Sequence, residues 1–238
     1  MRFLPFALMV TLLFSACQEP ASQNMPEAAT ERVADPLPDY TNLPTTPSLE
    51  EAGFNELYAD YDEAIFAGGC FWCIEEVFER VRGVEAVYSG YCGGDKAHPT
   101  YQEVGAGLTN YAESVVVYYD PEVVSYELLV KFFYASHDPT QVNRQGPDVG
   151  RQYRTAVYYL NDAQRDVATA YQAELDASDK YHKPIATEIT AAGTFYLAEA
   201  YHQDYYPNHP ENPYVQRISR PKVEKFTKEF PEYLKEGY

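Results

Sequence analysis

Strand and helix signals that alternate in the order β-α-β-β-α-β predict an α/β (α+β) fold, with a ferredoxin-like split βαβ core and a C-terminal helical and irregular extension. Three observations carry that prediction. Residues 63–67, 84–91, 114–119 and 155–160 are runs rich in β-branched and aromatic side chains. Apolar residues at helical spacing follow the first and third of these runs. Gly, Pro, Asn or Asp punctuates the ends.

The chain opens with one cation, Arg2, an apolar run over 3–14, and the small pair Ser15-Ala16 directly before Cys17. Residues 1–16 therefore read as a secretory signal. The run is too short to cross a bilayer core of about 30 Å, which takes roughly 20 residues. Phe14-Ser15-Ala16-Cys17 resembles a bacterial lipoprotein signal-peptidase site, with Phe14 where leucine is usual, and this predicts lipidation at Cys17, a palmitoylated anchor and a cell-envelope location facing the periplasm or exterior. Residues 17–58 are expected to be a disordered tether. Positions 18–49 hold six prolines and a single aromatic, Tyr40, and 18–62 hold ten acidic residues against one basic residue, Arg32. Such a segment buries too little apolar surface to offset its ordering entropy and extends by self-repulsion.

The folded unit is expected over 59–238. Its first strand, 63–67, ends at Gly68-Gly69, and Cys70 opens a helix through Arg82 that carries Trp72, Ile74, Val77, Phe78 and Val81. Gly83 stops that helix and a second strand follows to Tyr91, closed by Gly93-Gly94. The third strand, 114–119, ends at Asp120-Pro121. Ser125 then caps a helix with Leu128, Leu129, Phe132 and Phe133 on one face, and 155–160 forms the fourth strand. Asn161 or Asp162 caps a helix to about Ala177. A further strand is expected near 185–190, and an amphipathic helix over 221–234 breaks at Pro231.

Eighteen Lys and Arg against 36 Asp and Glu give a net charge of −18, which disfavours nucleic acid as a partner. Half of this excess belongs to the tether region, since 63–238 carries a net −10. Four cysteines, Cys17, Cys70, Cys73 and Cys92, are too few for a disulfide scaffold and suggest chemical roles.

Cys70 stands behind two glycines at the start of a helix, where the helix end favours a thiolate and the glycines allow a ligand close to the backbone. Phe71 and Trp72 follow directly. Two large aromatics at a helix start cannot both lie beneath the sheet, so at least one lines a surface pocket suited to an apolar, polarizable group such as a methyl on sulfur.

Gly69-Cys70-Phe71-Trp72-Cys73-Ile74-Glu75 resembles the Gly-Cys-Phe-Trp signature of the A-type peptide methionine sulfoxide reductases. Further similar stretches follow in order: Gly90-Tyr91-Cys92-Gly93-Gly94, His98-Pro99-Thr100-Tyr101, Ala112-Glu113, His137-Asp138-Pro139-Thr140-Gln141, Gly146-Pro147-Asp148-Val149-Gly150, Gln152-Tyr153-Arg154 and Tyr201-His202-Gln203. The resemblance spans essentially the whole folded unit. It implies that Cys70 attacks the sulfoxide sulfur, that Glu113 donates a proton to the departing oxygen, and that Tyr101 and Tyr153 hydrogen-bond that oxygen. It further implies that Asp148 is a buried partner organising these groups and that Phe71 and Trp72 wall the methyl site. S-epimer selectivity is implied in the same way. Substrates would be oxidised proteins and free methionine sulfoxide. Neither a metal nor an organic cofactor is expected, electrons coming from thioredoxin or another dithiol donor, and a monomer is expected.

Two positions depart from the family pattern: Asn110-Tyr111 replaces a Gly-His before Ala-Glu, and Val215 stands where related chains often carry a recycling cysteine. The sulfenic acid left on Cys70 must therefore be resolved by Cys73, by Cys92 or by an external thiol. Cys73 lies one helical turn on and is ranked first. A thioredoxin-like disulfide oxidoreductase is the first rival reading, since Cys70-x-x-Cys73 follows a strand. A structural zinc site from Cys70, Cys73, Cys92 and His98 is the second. His202 and His209 read as core or solvated histidines.

Overall fold

A computed structural model describes residues 45–238. Cys17, the predicted signal and most of the predicted tether lie outside the described residues. A short helix α1 (Phe54–Leu57) precedes strand β1 (Asp62–Gly68), helix α2 (Phe71–Glu79), strand β2 (Val84–Cys92), helix α3 (Tyr101–Gly105), strand β3 (Ala112–Tyr119) and helix α4 (Tyr126–Ser136). A small hairpin of β4 (Arg144–Gln145) and β5 (Asp148–Val149) comes next. Strand β6 (Thr155–Tyr159), helix α5 (Asp162–Ala177), strands β7 (Glu188–Ala191) and β8 (Tyr196–Leu197), and helices α6 (Tyr205–Asn208) and α7 (Arg220–Glu229) complete the series.

The main sheet has the order β7-β6-β1-β3-β2-β8. Its inner four strands, β6-β1-β3-β2, are mutually antiparallel neighbours with α2 and α4 as the crossovers, which is the split βαβ arrangement expected. Strands β7 and β8 add a parallel and an antiparallel edge. Side chains alternate across β1: Ala64 and Phe66 pack into the core beneath α2, α4 and α7, whereas Ile65 and Ala67 join Phe54, Tyr88, Cys92, Tyr118 and Tyr158 on the opposite face.

Local chemistry sets the boundaries. Ser125 Oγ accepts from Leu128 N at 3.3 Å and caps α4, and Asn161 Oδ1 accepts from Gln164 N at 2.9 Å and caps α5; each cap contributes about 1 kcal/mol. Gly83 ends the stretch after α2 at φ 91°, where a Cβ would stand 2.8 Å from Val124. The C-terminal helix expected over 221–234 ends at Glu229, and Pro231–Tyr233 forms a 3-10 turn because proline has no N–H to continue the ladder.

The tether boundary requires correction. Residues 45–58 belong to the folded unit, with Thr46, Leu49, Ala52 and Phe54 buried. Ser48 bridges to Tyr196, and Leu197 N donates to Pro47 O at 2.8 Å. The proline-rich composition concealed a segment that covers one edge and one face of the sheet.

Candidate active site

The turn between β1 and α2 places Cys70. Gly69 adopts φ 93°, and a Cβ there would lie 2.5 Å from Gln145 Cβ, so this glycine lets the β4–β5 hairpin sit against the turn. Gln145 is buried and fastened to Asp138 through Asp138 N and Asp138 O. Cys70 takes the N-cap position of α2, and the next backbone amide, Phe71 N, donates to Glu113 Oε2 at 3.2 Å.

Glu113 reaches this point from β3, where it pairs with Tyr91 of β2 on the α2 face of the sheet. It is 1% exposed. Burial pushes its carboxyl up to about 8, against the pull of the Phe71 amide and with help from Asp148 and Cys73. At neutral pH it carries a proton. The Asn110-Tyr111 departure leaves this placement intact: Tyr111 is buried and donates to Lys96 O at 2.7 Å, while Asn110 accepts from Arg151 at 2.8 Å.

Tyr101 is positioned by a capping box. Thr100 accepts from Glu103 N, the Glu103 carboxylate receives Thr100 N, and Glu199 receives both Tyr101 N and the Tyr91 hydroxyl at 2.8 Å. Tyr153 ends a 3-10 turn anchored by Gln152, whose side chain donates to Gly105 O. Burial raises both phenols, and each is raised further by Glu113, Cys70 and Asp148, so the five predicted groups lie within electrostatic reach of one another. Asp148 is half-buried rather than buried as expected, and accepts from the Tyr214 hydroxyl at 2.5 Å.

Phe71 is buried against His202, Tyr91 and Tyr101, whereas Trp72 is half-exposed and stacks on Tyr205 at 3.7 Å. Tyr214 meets Trp72 edge-on at 5.8 Å, and Trp72 Nε1 donates to His202 Nδ1 at 3.2 Å. Beside Cys70, Trp72 thus packs with Tyr205 and Tyr214 in an aromatic cluster next to the buried Phe71. Sequence reasoning placed His202 among core or solvated histidines and missed Tyr205, Tyr214 and Glu199. Among 23 tyrosines no local pattern separates these from the rest, and only the Tyr201-His202-Gln203 stretch carried a signal.

The thiols correct another expectation. Cys70 was expected to gain a thiolate from the helix end, but burial pushes its thiol up, and it hydrogen-bonds Cys73. Cys73 is drawn down to about 7 by that bond, with Lys222 and Ser219 adding to it against burial. Cys92 faces the other side of the sheet with Tyr158 and Phe195, and burial pushes its thiol up to about 12. It packs as a small core residue on the face of the sheet opposite Cys70 and Cys73. The same separation dismantles the zinc reading, because Cys92 cannot share ligation with Cys70 and Cys73, and His98 is bonded to Thr46 O at 3.0 Å. No group of three or more His, Cys, Asp or Glu suited to a metal occurs among the described residues.

The family model described as peptide methionine sulfoxide reductase matches residues 62–234. Peptide methionine sulfoxide reductase MsrA of Natronomonas pharaonis is 49% identical over 169 residues, covering 71% of this chain and 95% of its own. MsrA 2 of Synechocystis sp. is 45% identical over 204 residues, covering 85% and 90%. Among solved structures, Mxr1 from Saccharomyces cerevisiae in reduced form aligns with TM-score 0.60 and 34% identity, covering 65% of this chain and 88% of that one. Methionine sulfoxide reductase A of Corynebacterium diphtheriae aligns with TM-score 0.58 and 35% identity, covering 64% and 77%. With the family model spanning residues 62–234 and a relative 49% identical over 169 residues, the chain belongs to the peptide methionine sulfoxide reductase family.

Proposed function

We propose that the site reduces the S epimer of methionine sulfoxide, in proteins and as the free amino acid, through Cys70, and that Cys73 resolves the product. The observation that carries this reading is a buried, protonated Glu113 beside the Cys70–Cys73 pair. The substrate methyl packs against Trp72 and its aromatic neighbours, and the sulfoxide oxygen turns toward Glu113, Tyr101 and Tyr153. Cys70 Sγ attacks the substrate sulfur while Glu113 protonates the oxygen. The substrate sulfur–oxygen bond breaks and the oxygen leaves as water; water then adds to the Cys70 sulfur as the new sulfur–sulfur bond breaks, methionine leaves with that electron pair, and Cys70 is left as a sulfenic acid. The thiol hydrogen of Cys70 balances the proton that Glu113 gives, so the step releases none. A general acid in this position contributes about 10²- to 10⁴-fold to the rate.

Cys73 then attacks the oxidised Cys70, giving a disulfide and water. A thioredoxin-like dithiol donor reopens the disulfide by thiol exchange. The signal-like stretch before Cys17 supports an exported, lipid-anchored enzyme that repairs oxidised envelope proteins, and the acidic segment that follows supports an extended leash. Peptide mapping after one equivalent of methionine S-sulfoxide tests the assignment: a Cys70–Cys73 disulfide is expected, and oxidation confined to Cys70 rejects Cys73 as the resolving residue. Labelling with radioactive palmitate tests the anchor, and retention of an unlabelled Cys17 in the cytoplasm rejects it.

A further inference from the structure

Lys222 lies on α7, and its ammonium nitrogen is shut away from solvent with no hydrogen-bond partner among the described residues. A buried ammonium with no anion beside it is costly, so such a group implies a charge that it meets. Cys73 and His137 both lie within electrostatic reach of this lysine. His137 offers no charge: burial pushes it down to about 4, and its ring nitrogens are engaged by Phe133 O at 2.8 Å and Thr155 Oγ1 at 2.7 Å. Cys73 is the acidic group of the two.

A second feature points to the same sulfur. Cys73 Sγ and Ser219 Oγ are 3.0 Å apart and both residues are buried. The thiol donates to the hydroxyl when protonated, and the hydroxyl donates to the sulfur when it is a thiolate. Ser219 closes a π-helical turn, Val215–Ser219, immediately before α7. Such turns are rare and concentrate at functional sites. Ser219 and Lys222 are three residues apart, so one helical face presents both toward α2. The same turn buries Val215 and leaves Tyr214 bonded to Asp148.

We propose that Ser219 and Lys222 form a thiolate pocket for Cys73, in which Lys222 is a positioning residue that keeps the resolving sulfur charged for attack on oxidised Cys70. This rests on the assignment of Cys73 as the resolving cysteine. In the step served, the Cys73 thiolate supplies an electron pair to the sulfenic sulfur of Cys70. The sulfur–sulfur bond forms, the sulfur–oxygen bond breaks, and the oxygen takes a proton from Glu113 and leaves as water. The titratable groups that face Cys73 are Cys70 from its own helix, Glu113 from β3, Asp148 from β5, Tyr214 from the start of the π turn and Lys222 from α7. Lys222 is the cation of that set.

The test is rapid-quench mapping of the full-length chain after one equivalent of methionine S-sulfoxide, with a 1,3-diketone present to trap sulfenic acid, across a pH series. Wild type should release one equivalent of methionine and form the Cys70–Cys73 disulfide. Lys222→Met should slow disulfide formation about tenfold at pH 7, move its acid limb up by about one pH unit, and accumulate the diketone adduct on Cys70. Lys222→Arg should restore most of the rate, and Ser219→Ala should produce a smaller change in the same direction. An unchanged rate in Lys222→Met overturns the pocket, as does a uniform slowing with no movement of the acid limb. Wild type that releases methionine without a Cys70–Cys73 disulfide overturns it together with the resolving assignment. Wild type that releases no methionine strikes the reductase reading itself.

Discussion

Glu113 is the residue whose chemistry depends most on its surroundings. Burial, helped by Asp148 and Cys73, lifts its carboxyl from an ordinary 4.5 to about 8, and the Phe71 amide limits the rise. Glu113→Gln retains the shape and loses the proton, so kcat for sulfoxide reduction should fall about 10²- to 10⁴-fold in a steady-state assay. The same substitution should stabilise the fold. The folded state holds this proton more tightly than the unfolded chain, so the carboxyl's stabilising contribution is fully present below about pH 4.5 and is lost as pH rises toward about 8. At pH 7 removing the carboxyl should therefore raise unfolding free energy by up to about 3 kcal/mol in denaturant titration. A variant that is slower and no more stable would contradict the placement. Cys70, Phe71 and Trp72 were legible because a glycine pair between strand and helix is a local signal. Lys222 and Ser219 were not, because Ser219 meets Cys73 across 146 residues of sequence.

At the scale of elements, the strands and long helices were legible from periodicity, and four of the sheet's six strands fell where the runs of β-branched and aromatic residues place them. The short elements were not. The β4–β5 hairpin and β8 have two residues per strand, α3 has five residues, and the π turn follows no apolar period. These are the pieces that carry Asp148, Tyr101 and Tyr214, so the site was less legible than the sheet that supports it. The packed segment 45–58 was missed for a related reason, since its few apolar residues gain their partners from β2, β3 and β8. Phe54 is fully buried between Tyr88, Tyr58 and Tyr118. A chain starting at 59 should lose at least about 3 kcal/mol of stability, the cost of removing one such phenylalanine, read by thermal or denaturant unfolding. Unchanged stability would mean that the segment does not contribute to the core.

For the whole molecule, titration ties stability to function. Glu63 is pushed up to about 7 by burial, and Glu75, Glu76 and Glu79 are raised from the same cause. Each binds its proton more tightly folded than unfolded, so each contributes stability that is lost as pH rises above about 5. His137 and His202, pushed down to about 4 by burial, act oppositely, as do Glu51, Glu103 and Asp138, which are held below the ordinary carboxylate range. Those three carboxyls titrate mainly below about pH 5, and from about pH 5 to 8 the two histidines face five raised carboxyls. The melting temperature should therefore be higher at pH 5 than at pH 8, with self-repulsion from the −18 charge adding to the trend. Activity needs the opposite balance. In the proposed mechanism disulfide formation requires Cys73 ionised, above about 7, and oxygen transfer requires Glu113 protonated, below about 8. A complete turnover should follow a narrow bell between those limbs, and Glu113→Gln should remove the alkaline one. The most direct measurement of the central claim is methionine yield from each sulfoxide epimer with wild type and Cys70→Ser: wild type should convert the S epimer and Cys70→Ser should yield no methionine, whereas near wild-type yield from Cys70→Ser would contradict the account.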